Sequence, residues 1–336
     1  MKHSEFVATA MRLMVAQEPF LVTGSPGSGK TAGLAQATNA AKRRLIITHP
    51  IISEEVDYRG LPGFVQTNGR TEAVFLPFGF LRELTTTTKP TTVIIDDVGQ
   101  ARLSVQAALM QLVQLREIDG TAISDTVTFA LASNRREDRA AVQGIVSALV
   151  DRCVCVLELE VDASELASWL LTQGYNPILA AFIRWKPDEV RFDAKNEFQK
   201  SSTPRSIAGL GRLIQLGLDT PELCAAAVGP GFAAGFLAFR RLEATLLTVE
   251  QILANPKKVK LPAKEEQDVL YALVTTLASR ITTENFPQAM QFLERCPPEF
   301  AVLALRDAQA KVPNLATTPA FVDWAERHTK LLGITE

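Results

Sequence analysis

The run Gly24-Ser25-Pro26-Gly27-Ser28-Gly29-Lys30-Thr31 constrains the architecture of this chain more than any other eight residues. Its glycines let backbone N–H groups turn toward a single point with no side chain in the way. Such a turn works only between a strand that delivers it and a helix whose free N–H groups face the same point. Both flanks are present: the apolar run Pro19-Phe20-Leu21-Val22-Thr23 precedes it, and a helix-like stretch, 32–41, follows. The spacing G-x-x-x-x-G-K-[ST] is that of a Walker A phosphate loop. The backbone from Gly24, Ser25, Pro26, Gly27, Ser28 and Gly29 on to Ala32 would then cradle phosphates, Lys30 would reach the β- and γ-phosphates, and Thr31 would offer its hydroxyl to Mg²⁺. The competing reading, a glycine turn with a chance lysine, leaves the flanking pattern unexplained. A bound nucleoside triphosphate is the expectation.

From residue 20 to about 161, short β-rich runs alternate with helical patterns, which predicts βαβ units and a parallel sheet. Strands are expected at 20–23, 45–48, 92–95, 126–132 and 153–158, several of them near-continuous apolar runs, as strands covered on both faces should be. Helices are expected at 31–41, 103–116 and 142–149. Between the second and third strands, 63–76 contains Asn68-Gly69 flanked by two short runs, the strongest local hairpin signal. The threonine-rich stretch 85–92 reads as a polar connector. Beyond Asp162 the strand signals stop. Asp162 with Glu165 has capping-box spacing at the head of a helix over 166–172. Further helices are expected at 177–185, 204–216, 221–228, 235–246, 265–279 and 286–295, with a boundary at Asn255-Pro256-Lys257-Lys258. The expected division is an α/β nucleotide-binding core (1–161), an all-α lid (162–250) and a helical C-terminal extension (251–336).

With 336 residues, 47% of them hydrophobic, the chain can bury a sizeable core. A net charge of −2 leaves no electrostatic footprint for nucleic acid or an anionic membrane. The main basic cluster, Lys42-Arg43-Arg44, falls where a helix should end and reads as a solvated cap. No run of 18 apolar residues or signal-peptide pattern is present, so a soluble cytoplasmic protein is expected. Of four cysteines, Cys153 and Cys155 alternate within an expected strand and would share one face as free, buried thiols.

Val93-Ile94-Ile95-Asp96-Asp97 is an apolar strand that ends in two acids. At the carboxyl end of a parallel strand such a pair lies beside the phosphate loop. Asp96 would hold Mg²⁺, and Asp97 would orient and polarise the attacking water. A second strand ends at Asn134, whose amide could bond a γ-phosphate or the lytic water, although from local sequence alone a turn-forming asparagine is the stronger reading. Tyr58, on the loop after the second strand, either grips a partner or packs against the hairpin. His49 and His328 read as structural, and Trp169, Trp185 and Trp324 as core.

Together these motifs resemble the AAA+ ATPases, and within them the MoxR-like branch. The resemblance rests on GSPGSGKT (24–31), VDYRGLPG (56–63), VIIDDVGQA (93–101), the stretch 130–153 and STPRS (202–206), and covers about two-thirds of the chain. It implies a P-loop α/β core with a small hairpin insert, ATP and Mg²⁺ as ligands, and ATP hydrolysis. It implies that Asn134 is the sensor-1 residue, that Arg152 is an arginine finger reaching the next subunit's γ-phosphate, and that Arg205 is sensor 2. It also implies a homo-oligomeric ring, expected as a hexamer, acting on a client protein, of which those with a von Willebrand factor A-like domain are the family's type. One departure stands out: the family carries Asp-Glu where this chain has Asp96-Asp97. The shorter carboxylate sits further from the lytic water, so slow hydrolysis or a rarely turning switch is an alternative. A nucleic-acid-directed motor and a monomeric small-molecule kinase are the other readings. The first lacks a basic groove, and the second leaves the helical lid and Arg152 unexplained.

Overall fold

The computed structural model describes residues 1–67, 69–138, 144–193, 199–244, 248–263 and 266–327. Two compact units divide the chain, Met1–Val161 with Phe192–Asn196, and Asp162–Arg191 with Glu197–Glu336.

The first unit is built on strands β1 (Phe20–Thr23), β2 (Arg44–Thr48), β5 (Thr91–Ile95), β8 (Val127–Ser133) and β9 (Val156–Glu158). They form one parallel sheet in the order β2-β5-β8-β1-β9. Every residue of β5 and β8 is buried, as continuous apolar runs demand. Alternation along each strand separates two cores. Val93, Ile95, Phe129 and Leu131 enter one, whereas Ile94, Ala130 and Ala132 enter the other with Phe20 and Val22. In register, Thr23 lies beside Ser133 and Ile95 beside Leu131, so the segments after β1, β5 and β8 leave the sheet at one edge. In this order the strand that delivers the glycine loop, β1, lies between β8 and the last strand. The antiparallel ribbon β3 (Leu61–Thr67) and β4 (Arg70–Leu76) is the small insert, and Thr67 pairs with Arg70 around the turn. Asn68 itself lies outside the described residues. A second, very short ribbon joins β6 (Glu117–Ile118) to β7 (Thr121–Ala122).

Helices α1 (His3–Val15) and α2 (Lys30–Ala40) pack together against one face of the sheet. Sequence reading misses α1, although Phe6, Ala10 and Met14 recur at helical spacing and are all fully buried. The approach is close at Gly33, where an added Cβ would stand 2.6 Å from the Phe6 ring. Three further helices follow in this unit, α3 (Val56–Arg59), α4 (Gly79–Thr86) and α5 (Leu103–Leu115), then the four-residue α6 (Ser147–Val150).

Several sequence expectations need correction. The helix expected at 142–149 is reduced to α6, with 142 and 143 outside the described residues. Helix α4 takes in the first part of the expected threonine connector. The last strand begins at Val156, so Cys153 and Cys155 do not share a strand face. Cys153 packs against the first core and Cys155 against the second, and both are half-buried free thiols. Burial pushes the Cys153 thiol up to about 11. Arg43 is no solvated cap: its guanidinium donates to Thr92 Oγ1 and to the Thr91 and Thr126 carbonyls, tying the entrance of β5 to that of β8. Trp324 is buried as expected, but Trp169 is 38% exposed and tilts against Tyr175.

The second unit is wholly helical among its described residues. Asp162 Oδ1 accepts from the Glu165 backbone N–H at 2.8 Å and heads the helix Ala163–Thr172. Prolines open the helices Pro177–Trp185, Pro204–Gln215, Pro221–Val228 and Pro230–Ala244, where a missing N–H is harmless. The expected lid and extension fall in this one unit, with two hydrophobic cores. One runs from Leu166 to Phe239, the other from Val249 to Trp324. Helix Gln267–Ser279 serves both, through Ala272 on one side and Leu273, Val274 and Leu277 on the other. An ion pair between Arg184 and Asp307, both nearly buried, joins the two parts, and Arg184 also donates to Ser168 Oγ. No helix among the described residues is long and apolar enough to cross a membrane.

Substituting Gly33→Ala should lower stability by about 1–3 kcal/mol, because Phe6 must leave its position. Chemical denaturation followed by circular dichroism measures this. An unchanged midpoint would mean that α1 does not press on α2 as described.

Candidate phosphate-binding site

Between β1 and α2 the loop turns through two glycines at positive φ, Gly27 at 74° and Gly29 at 101°. A side chain would strain either position. Gly24 is required for space instead, since a Cβ there would meet the Leu159 carbonyl oxygen at 2.7 Å. Helix α2 begins at Lys30, so its first free N–H groups lie in the loop itself. The Ser28 hydroxyl is buried and has no hydrogen-bond partner. A buried donor left unmatched is costly, and an anion's oxygen in the loop would satisfy it.

Lys30 is 6% exposed. Its Nζ donates to the carbonyls of Gly24 at 2.8 Å and Ser25 at 3.0 Å, and to Asn134 Oδ1 at 2.8 Å. The amide of Asn134 then donates through Nδ2 to Asp97 Oδ1 at 3.2 Å. Asp96 is 7% exposed, accepts from Thr31 Oγ1 at 2.7 Å on one oxygen, and accepts from the Asp97 backbone N–H at 3.0 Å on the other. Asp97 has φ of +55°, a left-handed conformation that aspartate tolerates better than most residues. This bend carries the chain out of β5 into the turn Val98–Gln100.

Sequence-predicted residues from three strand ends thus meet in one connected network: Lys30, Thr31, Asp96, Asp97 and Asn134. Asn134 makes two side-chain bonds, one to the loop lysine and one to Asp97, and so belongs to this network. Its amide can report a change at one on the other. Thr31 Oγ1 and Asp96 Oδ2 are adjacent hard oxygens, the donor type that suits Mg²⁺.

The two predicted arginines lie outside this network. Arg152 follows α6, where its Nε donates to Gln114 Oε1 at 3.0 Å and its Nη1 to the Ala148 carbonyl at 2.8 Å. Arg205 is exposed in the first turn of Pro204–Gln215, in the second unit. Three other arginines follow Asn134: Arg135 is held by Glu137, Asp138 and Glu158, Arg136 opens the turn Arg136–Asp138, and Arg139 lies outside the described residues. Tyr58 is 2% exposed, shares a hydrogen bond with Thr48 Oγ1 at 2.7 Å and meets the Phe80 ring edge-on. It is therefore core, and the partner-gripping reading is corrected. Local sequence gives no sign of Gln106, whose fully buried amide donates to the Ala101 and Gly144 carbonyls and accepts from the Val146 N–H. A glutamine on an otherwise apolar helix face is the only hint.

The strand order and the loop together define a parallel α/β fold with a phosphate-type loop at the carboxyl edge of its sheet. The chain matches no family model and no curated protein. Among solved structures, the Thermotoga maritima RuvB Holliday junction branch migration motor is 16% identical over 85% of this chain and 86% of its own, with a TM-score of 0.39. NtrX from Brucella abortus in complex with ADP is 14% identical over 98% of this chain and 68% of its own, with a TM-score of 0.43. A putative ATPase from Cytophaga hutchinsonii is 13% identical over 91% and 83%, with a TM-score of 0.36. At such similarity no residue of theirs maps onto a residue here, and the local geometry alone defines the site.

Replacing Lys30 by Ala removes the ammonium that links the loop to Asn134. Binding of a fluorescent ATP analogue should fall by at least about a hundredfold, since a charge-assisted phosphate contact and a linked network are both lost. Retained affinity would show that the loop is not the nucleotide site.

Proposed function

We propose that this chain is an ATP-hydrolysing AAA+ ATPase of MoxR-like type. Protomers assemble into a ring, Mg-ATP is hydrolysed between neighbours, and the ring remodels or matures a client protein. The observation that carries the chemistry is the Lys30–Asn134–Asp97 chain of hydrogen bonds beside the Thr31–Asp96 pair. It supplies, in one place, a cation for the phosphates, an acid to orient water, and an oxygen pair for a divalent ion.

The roles follow from charge and reach. The loop N–H groups and Lys30 neutralise the phosphates and fix them in line with the attacking water. Asp97 accepts a hydrogen bond from that water, and Asn134 holds the Asp97 carboxylate in place. Thr31 and Asp96 would hold Mg²⁺, which when bound would neutralise charge on the phosphate oxygens. Arg152 has no bond to its own network, which suits a group that serves a neighbour's site. A guanidinium placed against the transferring phosphoryl stabilises the charge that develops on its oxygens. Arg205 opens a helix of the second unit and is the proposed sensor of the bound nucleotide there. The lid and extension remain proposed divisions of that unit. A protein client, with von Willebrand factor A-like domains as the type, is favoured over nucleic acid by the net charge of −2.

Arg152→Ala should retain nucleotide affinity while turnover falls about a thousandfold or more. Mixing Lys30→Ala protein with Arg152→Ala protein should then restore part of the activity, because each supplies what the other lacks. Normal hydrolysis by Arg152→Ala would sink the trans-acting role. So would a monomer in ATP at micromolar concentration by light scattering.

A further inference from the structure

We infer that Gln114 is a positioning residue for Arg152, setting its guanidinium for use outside its own protomer. The inference rests on the proposed trans-acting role of Arg152 and adds a residue to it.

Arg152 carries a long side chain whose free rotamers would cost entropy to fix at the moment of reaction. In this structure two acceptors of the same chain hold it. Gln114 Oε1, at the end of α5, takes the Nε–H at 3.0 Å, and the Ala148 carbonyl, in α6, takes an Nη1 hydrogen at 2.8 Å. The second contact is a local one, four residues back along the chain, and would form wherever the short helix goes. The first is not local. It spans 38 residues and ties the arginine to a different helix. Helix α5 is anchored by an apolar face, with Val105, Leu109, Leu112 and Val113 buried in the first core. The same helix, through Gln106, also holds the Gly144 carbonyl and the Val146 N–H on the approach to α6. One rigid helix therefore fixes both the backbone that leads to Arg152 and the tip of its side chain.

Both acceptors are neutral oxygens. A carboxylate in either place would neutralise the guanidinium, whereas an amide and a peptide carbonyl orient it and leave its charge available. Nη2 has no partner among the described contacts of Arg152. The guanidinium therefore keeps donors for a phosphate oxygen while its near side is fixed. Gln114 itself is exposed, and its side chain accepts from Arg152, so no part in binding the protomer's own nucleotide is assigned to it.

Steady-state ATP turnover by the full chain, with Gln114→Ala, Gln114→Glu and the double variant Gln114→Ala/Arg152→Ala, tests this. Gln114→Ala should lower kcat about tenfold with KM and nucleotide affinity unchanged, an effect of misplacement on the chemical step alone. The thermal midpoint should stay at its parent value, because a solvent-facing side chain is removed. Gln114→Glu keeps an oxygen acceptor but pairs the charge, so it should fold normally and also turn over slowly. The double variant should be no slower than Arg152→Ala alone, since without the arginine there is nothing to position. Wild-type kcat in Gln114→Ala, a rise in KM instead, or a loss that multiplies that of Arg152→Ala overturns the inference. If Arg152→Ala is itself fully active, the trans-acting reading fails first. If Arg152→Ala is inactive and Gln114→Ala normal, only the role of Gln114 falls.

Discussion

An ammonium group inside a protein must be surrounded by oxygen, and the position of Lys30 makes that requirement the organising constraint of the first unit. At 6% exposure it cannot rely on water. Three neutral oxygens from two strand ends accept hydrogen bonds from it. The ammonium is thereby held at the loop by groups that carry no charge of their own. An anion entering the loop meets the ammonium, the free N–H groups of α2 and the orphan hydroxyl of Ser28 together. Helix α1 behind α2, the buried strands β5 and β8 and the glycine turns all serve to hold these groups still.

What could be read from the sequence was whatever is written locally. The loop, its flanking strand and helix, the Asp96-Asp97 strand end and the Asn68-Gly69 hairpin depend on neighbours within a few residues. Each falls close to its expected place, apart from Asn68 itself. Helices opened by proline in the second unit were legible for the same reason. The convergence of Lys30, Thr31, Asp96, Asp97 and Asn134 was foreseeable only through strand order, because parallel neighbours deliver their carboxyl ends to a single edge.

The misreadings have a common physical origin in contacts between distant segments. Helix α1 carries its buried stripe among other apolar residues that blur the period, and its importance lies in Gly33, almost thirty residues away from Phe6. The basic triplet Lys42-Arg43-Arg44 looked solvated because nothing nearby in sequence shows that Arg43 reaches the entrances of two later strands. Tyr58 looked available because its loop is polar, whereas Thr48, Ser53 and Phe80 enclose it. Arg152 could be singled out through family resemblance, yet its partner Gln114 carries no signature at all. In the second unit, the shared helix Gln267–Ser279 and the Arg184–Asp307 pair show that the lid-like and terminal segments belong to one body.

The left-handed backbone at Asp97 has an evolutionary corollary. Of the ordinary side chains, asparagine is the one that accepts that conformation as readily as aspartate, and it has nearly the same shape. Exchange between the two changes one atom and removes one charge. On the proposed role of Asp97, a lineage descended from this chain could thus lose its fuel-burning step by a single conservative exchange and keep its grip on the fuel. A turning machine would become a latch, with the architecture untouched.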